Sequence, residues 1–294
     1  MYAQFFGSYL LNNDAVSPEQ LTTAIARLSD THIKLGTLAM HKGYMTASEV
    51  DEVCFLQTRE DKRFGEIALE RNYLFEDQLE DLLKSQNPDY LLLGQTLVDM
   101  GALSNTELES LMVGYQGENE LEESPAEEAN IEETSALIEH FFASAGKPLS
   151  EHSLMYMNLV FNNLVRFIGE DFTPLSPVPC TEYNTTYCVT QAISGPVTLV
   201  SGVDMEPDVA ISFASRYAKM EFEEFDEYVS ASLEDFLNLH NGLFSVNMSN
   251  IYSEEIALDP PKHEEDPVIA MSDTSFVLPI IYPFGTVYLL LIAK

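Results

Sequence analysis

Residues 225–243 read "FDEYVSASLEDFLNLHNGL". The apolar residues recur three and four apart, the spacing of one face of an α-helix. At about 100° per residue, Phe225, Val229, Ser232, Phe236, Leu239 and Leu243 fall on one side and form the expected buried stripe. Ala231, Asp235, Asn238 and Gly242 recur with the same spacing in a second row beside it. That row is expected at the margin between core and solvent. A small residue, a carboxylate, a carboxamide and a glycine make a shallow strip that admits a partner's backbone. Ala231, Asn241 and Gly242 are the expected binding residues, with Asp235 and Asn238 as the chemical groups.

The segments around this helix fix the fold class. "ETSALIEHFFASA" (133–145), "SLMYMNLVFNNLVRFI" (153–168) and "EPDVAISFASRYA" (206–218) have helical periodicity, and a long helix is expected over 222–246. "TTYCVTQAIS" (185–194) and "GPVTLVSGV" (195–203) read as strands joined at Ser194 and Gly195. "EIALDPP" (255–261), "VIAMSD" (268–273), "SFVLPIIYP" (275–283) and "GTVYLLLIA" (285–293) read as further strands. Long helices with an antiparallel-rich sheet make an α+β domain, expected over 134–294. Residues 117–133, "GENELEESPAEEANIEE", repel one another and bury little, so they read as an acidic linker.

Upstream, over 1–116, the chain repeats. Gly7, Gly36, Gly65 and Gly94 are 29 residues apart, each behind an aromatic residue or leucine. Seven positions on stand Asp14, Gly43, Asn72 and Gly101, types that tolerate the left-handed conformation closing a helix. Ten on stand Ser17, Thr46, Phe75 and Ser104, and thirteen on Gln20, Glu49, Gln78 and Glu107, the capping box in three copies of four. Each unit is therefore a short helix, a tight turn and a capped helix. A unit of that size must pack on its neighbours, giving an all-α array.

Composition narrows the partners. The 294 residues are 46% hydrophobic and carry a net charge of -34. Such a surface repels phosphate backbones and anionic lipid, which argues against nucleic acid and membrane surfaces and for a protein with a basic patch. The N-terminus does not read as a signal peptide, and no apolar run is long enough to span a bilayer. Cys54, Cys180 and Cys188 fit no zinc or CxxC spacing, which points to a reducing cytoplasm. The six histidines form no metal-binding pair. "DPPKHEEDP" (259–267) reads as a solvated loop.

The stretch 225–243 followed by "IALDPP" resembles the CheC/CheX/FliY family of chemotaxis phosphatases, CheX most closely. The family motif is Glu-x-x-Asn with Gly four residues after the Asn, in a helix preceded by Asp-Glu and followed by a proline-marked strand. Asp226 and Glu227 match the upstream pair, Asn238 the asparagine, Gly242 the glycine, and Pro260 and Pro261 the prolines. Asp235 stands where the family has Glu. Glu234 lies about 100° round the helix from it and is no substitute. The resemblance, over about 150–294, implies hydrolysis of the aspartyl-phosphate of a CheY-like response regulator. It implies that Asn238 orients the attacking water and that Asp235 pairs with the regulator's lysine. No cofactor of its own is implied, Mg²⁺ being supplied by the regulator. CheX-like domains also pair, so a homodimer through the second half is expected. The shorter Asp235 leaves open a second reading, a non-catalytic scaffold that binds a regulator.

The repeats resemble the N-terminal domain of type II secretion ATPases (the EspE and MshE type), whose units read "RLGxxLxxxGxxxxxxLxxxLxxQ". Arg63, Phe64, Gly65, Leu79, Leu83 and Gln86 match one copy, and Leu35, Gly36, Gly43 and Gln57 another. Relatives of this type include cyclic di-GMP receptors that use the motif's arginines. Here only Arg63 fills an arginine position, the others being Phe5, Lys34 and Leu92. A packing and protein-interaction module is therefore the expectation, with a cyclic di-GMP-responsive adaptor as a third reading.

Overall fold

A computed structural model describes residues 2–28, 31–84, 90–118, 129–264 and 267–293. The chain divides into two compact units, 2–125 and 126–294. The first consists of helix pairs: α1 (Tyr2–Asn12) with α2 (Pro18–Ile25), α3 (Leu35–His41) with α4 (Ala47–Gln57), α5 (Phe64–Glu70) with α6 (Glu76–Lys84), and α7 (Tyr90–Asp99) with α8 (Asn105–Glu118). The turns close as the repeat demands, with Asp14, Gly43, Asn72 and Gly101 at φ of 52°, 67°, 59° and 71°. Ser17 and Gln20 form a complete capping box, as do Thr46 and Glu49. Phe75 has no hydroxyl, and only its backbone N–H is capped, by Gln78.

The repeating glycine has a packing cause. A Cβ on Gly36, Gly65 or Gly94 would stand 2.7 Å from Val50, 3.1 Å from Leu79 and 2.7 Å from Leu108, in each case fourteen residues further on. In these three pairs glycine lets the second helix press onto the first. The pairs do not stack in sequence order. α1 packs on α7 and α8, α3 on α8, and α4 on α5 and α8, so the first pair lies against the fourth and the fourth against the second. Phe6, Tyr9, Tyr90 and Tyr115 cluster there, with Phe6 5.1 Å from both Tyr90 and Tyr115 between ring centroids. Gln86 lies outside the described residues.

Both ends of the expected linker, 117–133, are helical. α8 reaches Glu118, and α9 (Ala129–Ser144) already begins inside it, leaving 119–128 outside the described residues. The second unit continues with α10 (Glu151–Asn163), a π-helical turn over Leu164–Ile168, β1 (Thr173–Pro174), β2 (Glu182–Asn184), β3 (Tyr187–Ser194), β4 (Leu199–Met205), α11 (Pro207–Ala218) and α12 (Glu227–Asn247). It ends with β5 (Ala257–Leu258), β6 (Lys262–His263), β7 (Val268–Ala270), β8 (Phe276–Tyr282) and β9 (Gly285–Ala293). The main sheet runs β1-β8-β9-β4-β3-β5, with β6 also on β3, and these pairings are antiparallel. The fold is α+β.

Alternation along the strands gives the sheet two covered faces. Val203, Leu289, Val287 and Ile280 meet Val160, Leu164, Phe213, Phe236 and Leu237 of the helices. On the other face Cys188, Val277, Leu290 and Ile292 pack with Tyr183 and Ile269, which belong to the separate two-stranded sheet β2–β7. "VIAMSD" supplies that small sheet through β7 rather than the main one.

The buried face of α12 differs from the stripe expected. It consists of Val229, Leu233, Phe236, Leu237, His240, Asn241 and Phe244, whereas Ser232 and Leu239 are half-buried and Leu243 is exposed. The helix is turned by about 90° relative to the apolar pattern. Two polar residues share the inner face, Asn241 with partners for both ends of its amide and His240 bonded through one ring nitrogen. His240 Nδ1 lies 3.0 Å from the Asn163 amide nitrogen. His240 Nε2 has no hydrogen-bond partner among the described residues.

Burial lowers the pKa of His240 from 6.5 to about 3. The native imidazole therefore stays neutral while the unfolded one gains a proton below pH 6.5. The stability it contributes is fully present above that pH and is lost as pH falls toward 3. The slope from one such group reaches about 1.4 kcal/mol per pH unit. His240→Gln should remove that slope: its urea midpoint should fall less than the wild type's between pH 7 and pH 5. Equal losses in the two proteins would show that His240 does not titrate on unfolding.

Candidate functional site

α12 begins at Asp226, whose carboxylate accepts from the N–H groups of Tyr228 and Val229, both at 3.0 Å. The upstream Asp-Glu pair is thus a cap plus a first-turn acid, both favourable at the positive end of a helix. Turning the helix carries the second row with it. Ala231, Asp235 and Asn238 are exposed and Gly242 half-buried, outside the buried face of α12. A Cβ on Gly242 would meet nothing within 4 Å.

Beneath the row, the edge of the sheet is broken. β5 pairs Leu258 with Ile193, and β6 pairs Lys262 with Thr190. Between these pairs, Gln191 and Ala192 face Asp259, Pro260 and Pro261, two residues against three, which is a bulge. The prolines have no N–H to give the ladder. Asp259 N still donates to the Ala192 carbonyl at 3.0 Å, and the Asp259 carbonyl accepts from Gln191 Nε2 at 2.7 Å. "DPPKHEEDP" is therefore partly strand and partly packed. Lys262 and His263 form β6, and Glu264 is half-buried and bonded to the Thr190 hydroxyl. Glu265 and Asp266 lie outside the described residues.

Gln191 also reaches the row. Its Nε2 donates to Asn238 Oδ1 at 2.9 Å, while Asn238 Nδ2 has no protein partner among the described residues. Asp235 is held separately: the Tyr217 hydroxyl of α11 donates to its Oδ2 at 2.6 Å. The Tyr217 ring stands edge-on to Phe236 at 5.7 Å and to Phe167 at 5.9 Å. Burial, and then the neighbouring Asp235 carboxylate, push the Tyr217 hydroxyl pKa up, so it remains a donor at neutral pH. Gln191 and Tyr217 escape sequence reading because they lie on other elements, 47 and 18 residues from their partners.

Asn241 is not a binding residue at the surface. It is fully buried, and its Nδ2 donates to Gln191 Oε1 and to Ser201 Oγ, both at 2.8 Å, while its Oδ1 accepts from the Tyr156 hydroxyl at 3.0 Å. Its neighbours Gln191 and Ser201 are a cross-strand pair. Arg63 precedes α5 and is exposed. The equivalent positions offer little beside it: Phe5 is in the core and Lys34 is ion-paired with Asp99. Among the described residues no group of three or more His, Cys, Asp or Glu is placed to hold a metal ion, and no helix is long and apolar enough to cross a membrane. Asn241→Ala should destabilise the second unit by about 2–4 kcal/mol, because it leaves several buried polar groups unpaired. Urea unfolding measures this, and a loss below about 0.5 kcal/mol would mean the network is not closed in solution.

No family model matches the chain, and no curated protein matches it. Several solved structures do. The chemotaxis protein CheX from Desulfovibrio desulfuricans is 13% identical over 49% of this chain and 100% of its own, with a TM-score of 0.42. A CheC-like superfamily protein from Shewanella sp. PV-4 is 13% identical over 50% and 99%, also at 0.42. CheX of Borrelia burgdorferi, solved as a complex with CheY, BeF3 and Mg²⁺, is 14% identical over 49% and 98%, at 0.38. Over about half its length, the chain is similar to chemotaxis proteins of the CheX and CheC-like kind.

Proposed function

We propose that the exposed row of α12 is the docking and catalytic surface for a phosphorylated CheY-like response regulator, and that the chain hydrolyses its aspartyl-phosphate. The observation that carries this reading is Gly242. A glycine inside a helix costs about 1 kcal/mol relative to alanine. At Gly36 and Gly94 close packing accounts for it, but at Gly242 an added Cβ would meet only open space. The fold gains nothing from this glycine, whereas a partner approaching along Asp235 and Asn238 gains access. Exposed Tyr228, Leu243 and Val246 provide apolar flanks to the row, as a protein interface requires.

In the reaction, water attacks the phosphorus, the bond from phosphorus to the regulator's aspartate oxygen breaks, and phosphate and a free carboxylate result. A proton of the water passes to the phosphate. Such transfer depends on positioning and charge placement. Asn238 brings an uncharged amide that donates and accepts without repelling phosphate. Asp235 brings the carboxylate for the regulator's lysine. Mg²⁺ belongs to the regulator in this reading.

Decay of a phosphorylated regulator, with and without the protein, tests the proposal. Asn238→Ala should abolish most of the acceleration while binding survives. Gly242→Ala should raise unfolding stability by about 0.5–1 kcal/mol and lower regulator affinity. A Gly242→Ala protein that is stabilised and still binds fully would remove the docking surface from α12. Binding without any acceleration of decay would leave the scaffold reading, which the short, Tyr217-bound Asp235 favours.

A further inference from the structure

Gln191 is 1% exposed on β3, under α12 and beside the bulge. Its amide is oriented by a backbone atom. The Asp259 carbonyl can only accept, so the group 2.7 Å from it is the NH₂ end of Gln191. Oε1 then has to face Asn241, which donates to it at 2.8 Å. The remaining N–H of Nε2 has one acceptor, Asn238 Oδ1 at 2.9 Å. Asn241, with Nδ2 committed to Gln191 and Ser201, turns its Oδ1 to the Tyr156 hydroxyl. One carbonyl thereby sets the orientation of three carboxamides, and the last is the exposed one.

We propose that Gln191 is a positioning residue of the site: it holds Asn238 with Oδ1 turned onto the sheet and Nδ2 turned toward the docked partner. This rests on the function proposed above. A carboxamide on an open helix face otherwise exchanges its two ends freely, and only one arrangement presents N–H donors to phosphoryl oxygens. Anchoring Oδ1 through one lone pair leaves its second lone pair for a water hydrogen. The bulge supplies the anchor, since a regular strand there would have used the Asp259 carbonyl in the ladder and left Gln191 without a fixed acceptor.

Two measurements on the full chain decide this. The first needs no variant: the Asn238 side-chain amide, identified by its disappearance in Asn238→Ala, should be as ordered as rigid backbone, with an order parameter of about 0.85. A value below about 0.6 overturns the proposal whatever the enzyme does. The second is kinetic. Gln191→Met keeps the length and removes the donor. It should lower kcat for the phosphorylated regulator by about 10-fold with KM within about two-fold of wild type. In an Asn238→Ala background it should cause no further loss. An unchanged kcat in a folded Gln191→Met protein, or the same fractional loss in both backgrounds, overturns the positioning role. If Gln191→Met does not fold, the order parameter alone decides. If Asn238→Ala hydrolyses the regulator as fast as wild type, the phosphatase reading falls, and the order parameter still decides what Gln191 does.

Discussion

Pro260 and Pro261 have no N–H, and the strand that should run along β3 breaks there into β5 and β6. The break leaves the Asp259 carbonyl for a side chain, and Gln191 takes it. Gln191 in turn gives Asn241 an acceptor deep in the unit. A buried carboxamide with partners for its N–H and C=O groups is tolerated where an apolar residue would otherwise stand. Asn241 can then share the inner face of α12 with Phe244 and Leu237, which fixes the rotation of the helix. Rotation decides which residues look outward, so the position of Asp235, Asn238 and Gly242 follows from an interruption in a sheet edge.

Gly242 and the repeating glycines of the first unit stand inside helices for different reasons, and the space around each one separates them. Gly36, Gly65 and Gly94 sit where a Cβ would press on a side chain of the partner helix, so they serve packing. Gly242 sits in the open. Both kinds look alike in the sequence, as single glycines in helical periodicity. The same holds for the amides of α12: Asn238 and Asn241 are three residues apart, yet one is exposed and the other buried.

Local features were legible in the sequence. The left-handed residues Asp14, Gly43, Asn72 and Gly101 were, because a tight turn needs that conformation whatever surrounds it. So were the capping boxes and the strands of the β8–β9 hairpin. What depends on distant partners was not. Apolar periodicity put Leu239 and Leu243 inside and overlooked His240 and Asn241, since their burial rests on Asn163, Tyr156, Gln191 and Ser201 on other elements. The exposed row was found because its members share one spacing. Its supports, Gln191 and Tyr217, share none with it. The expected placement of Asn241 at the surface failed for the same reason.

The helix pairs of the first unit look like a linear repeat but do not behave as one. In a solenoid each repeat touches the next, so folding starts anywhere and spreads by nearest-neighbour contact. Here the first pair closes on the fourth through Phe6, Tyr90 and Tyr115, across more than eighty residues of chain. Loop closure on that scale has to come before the contacts that reward it, which raises contact order and slows folding. Trimming α1 would therefore uncover Tyr90 and Tyr115, the aromatic core of the last pair, although α1 stands at the other end of the sequence.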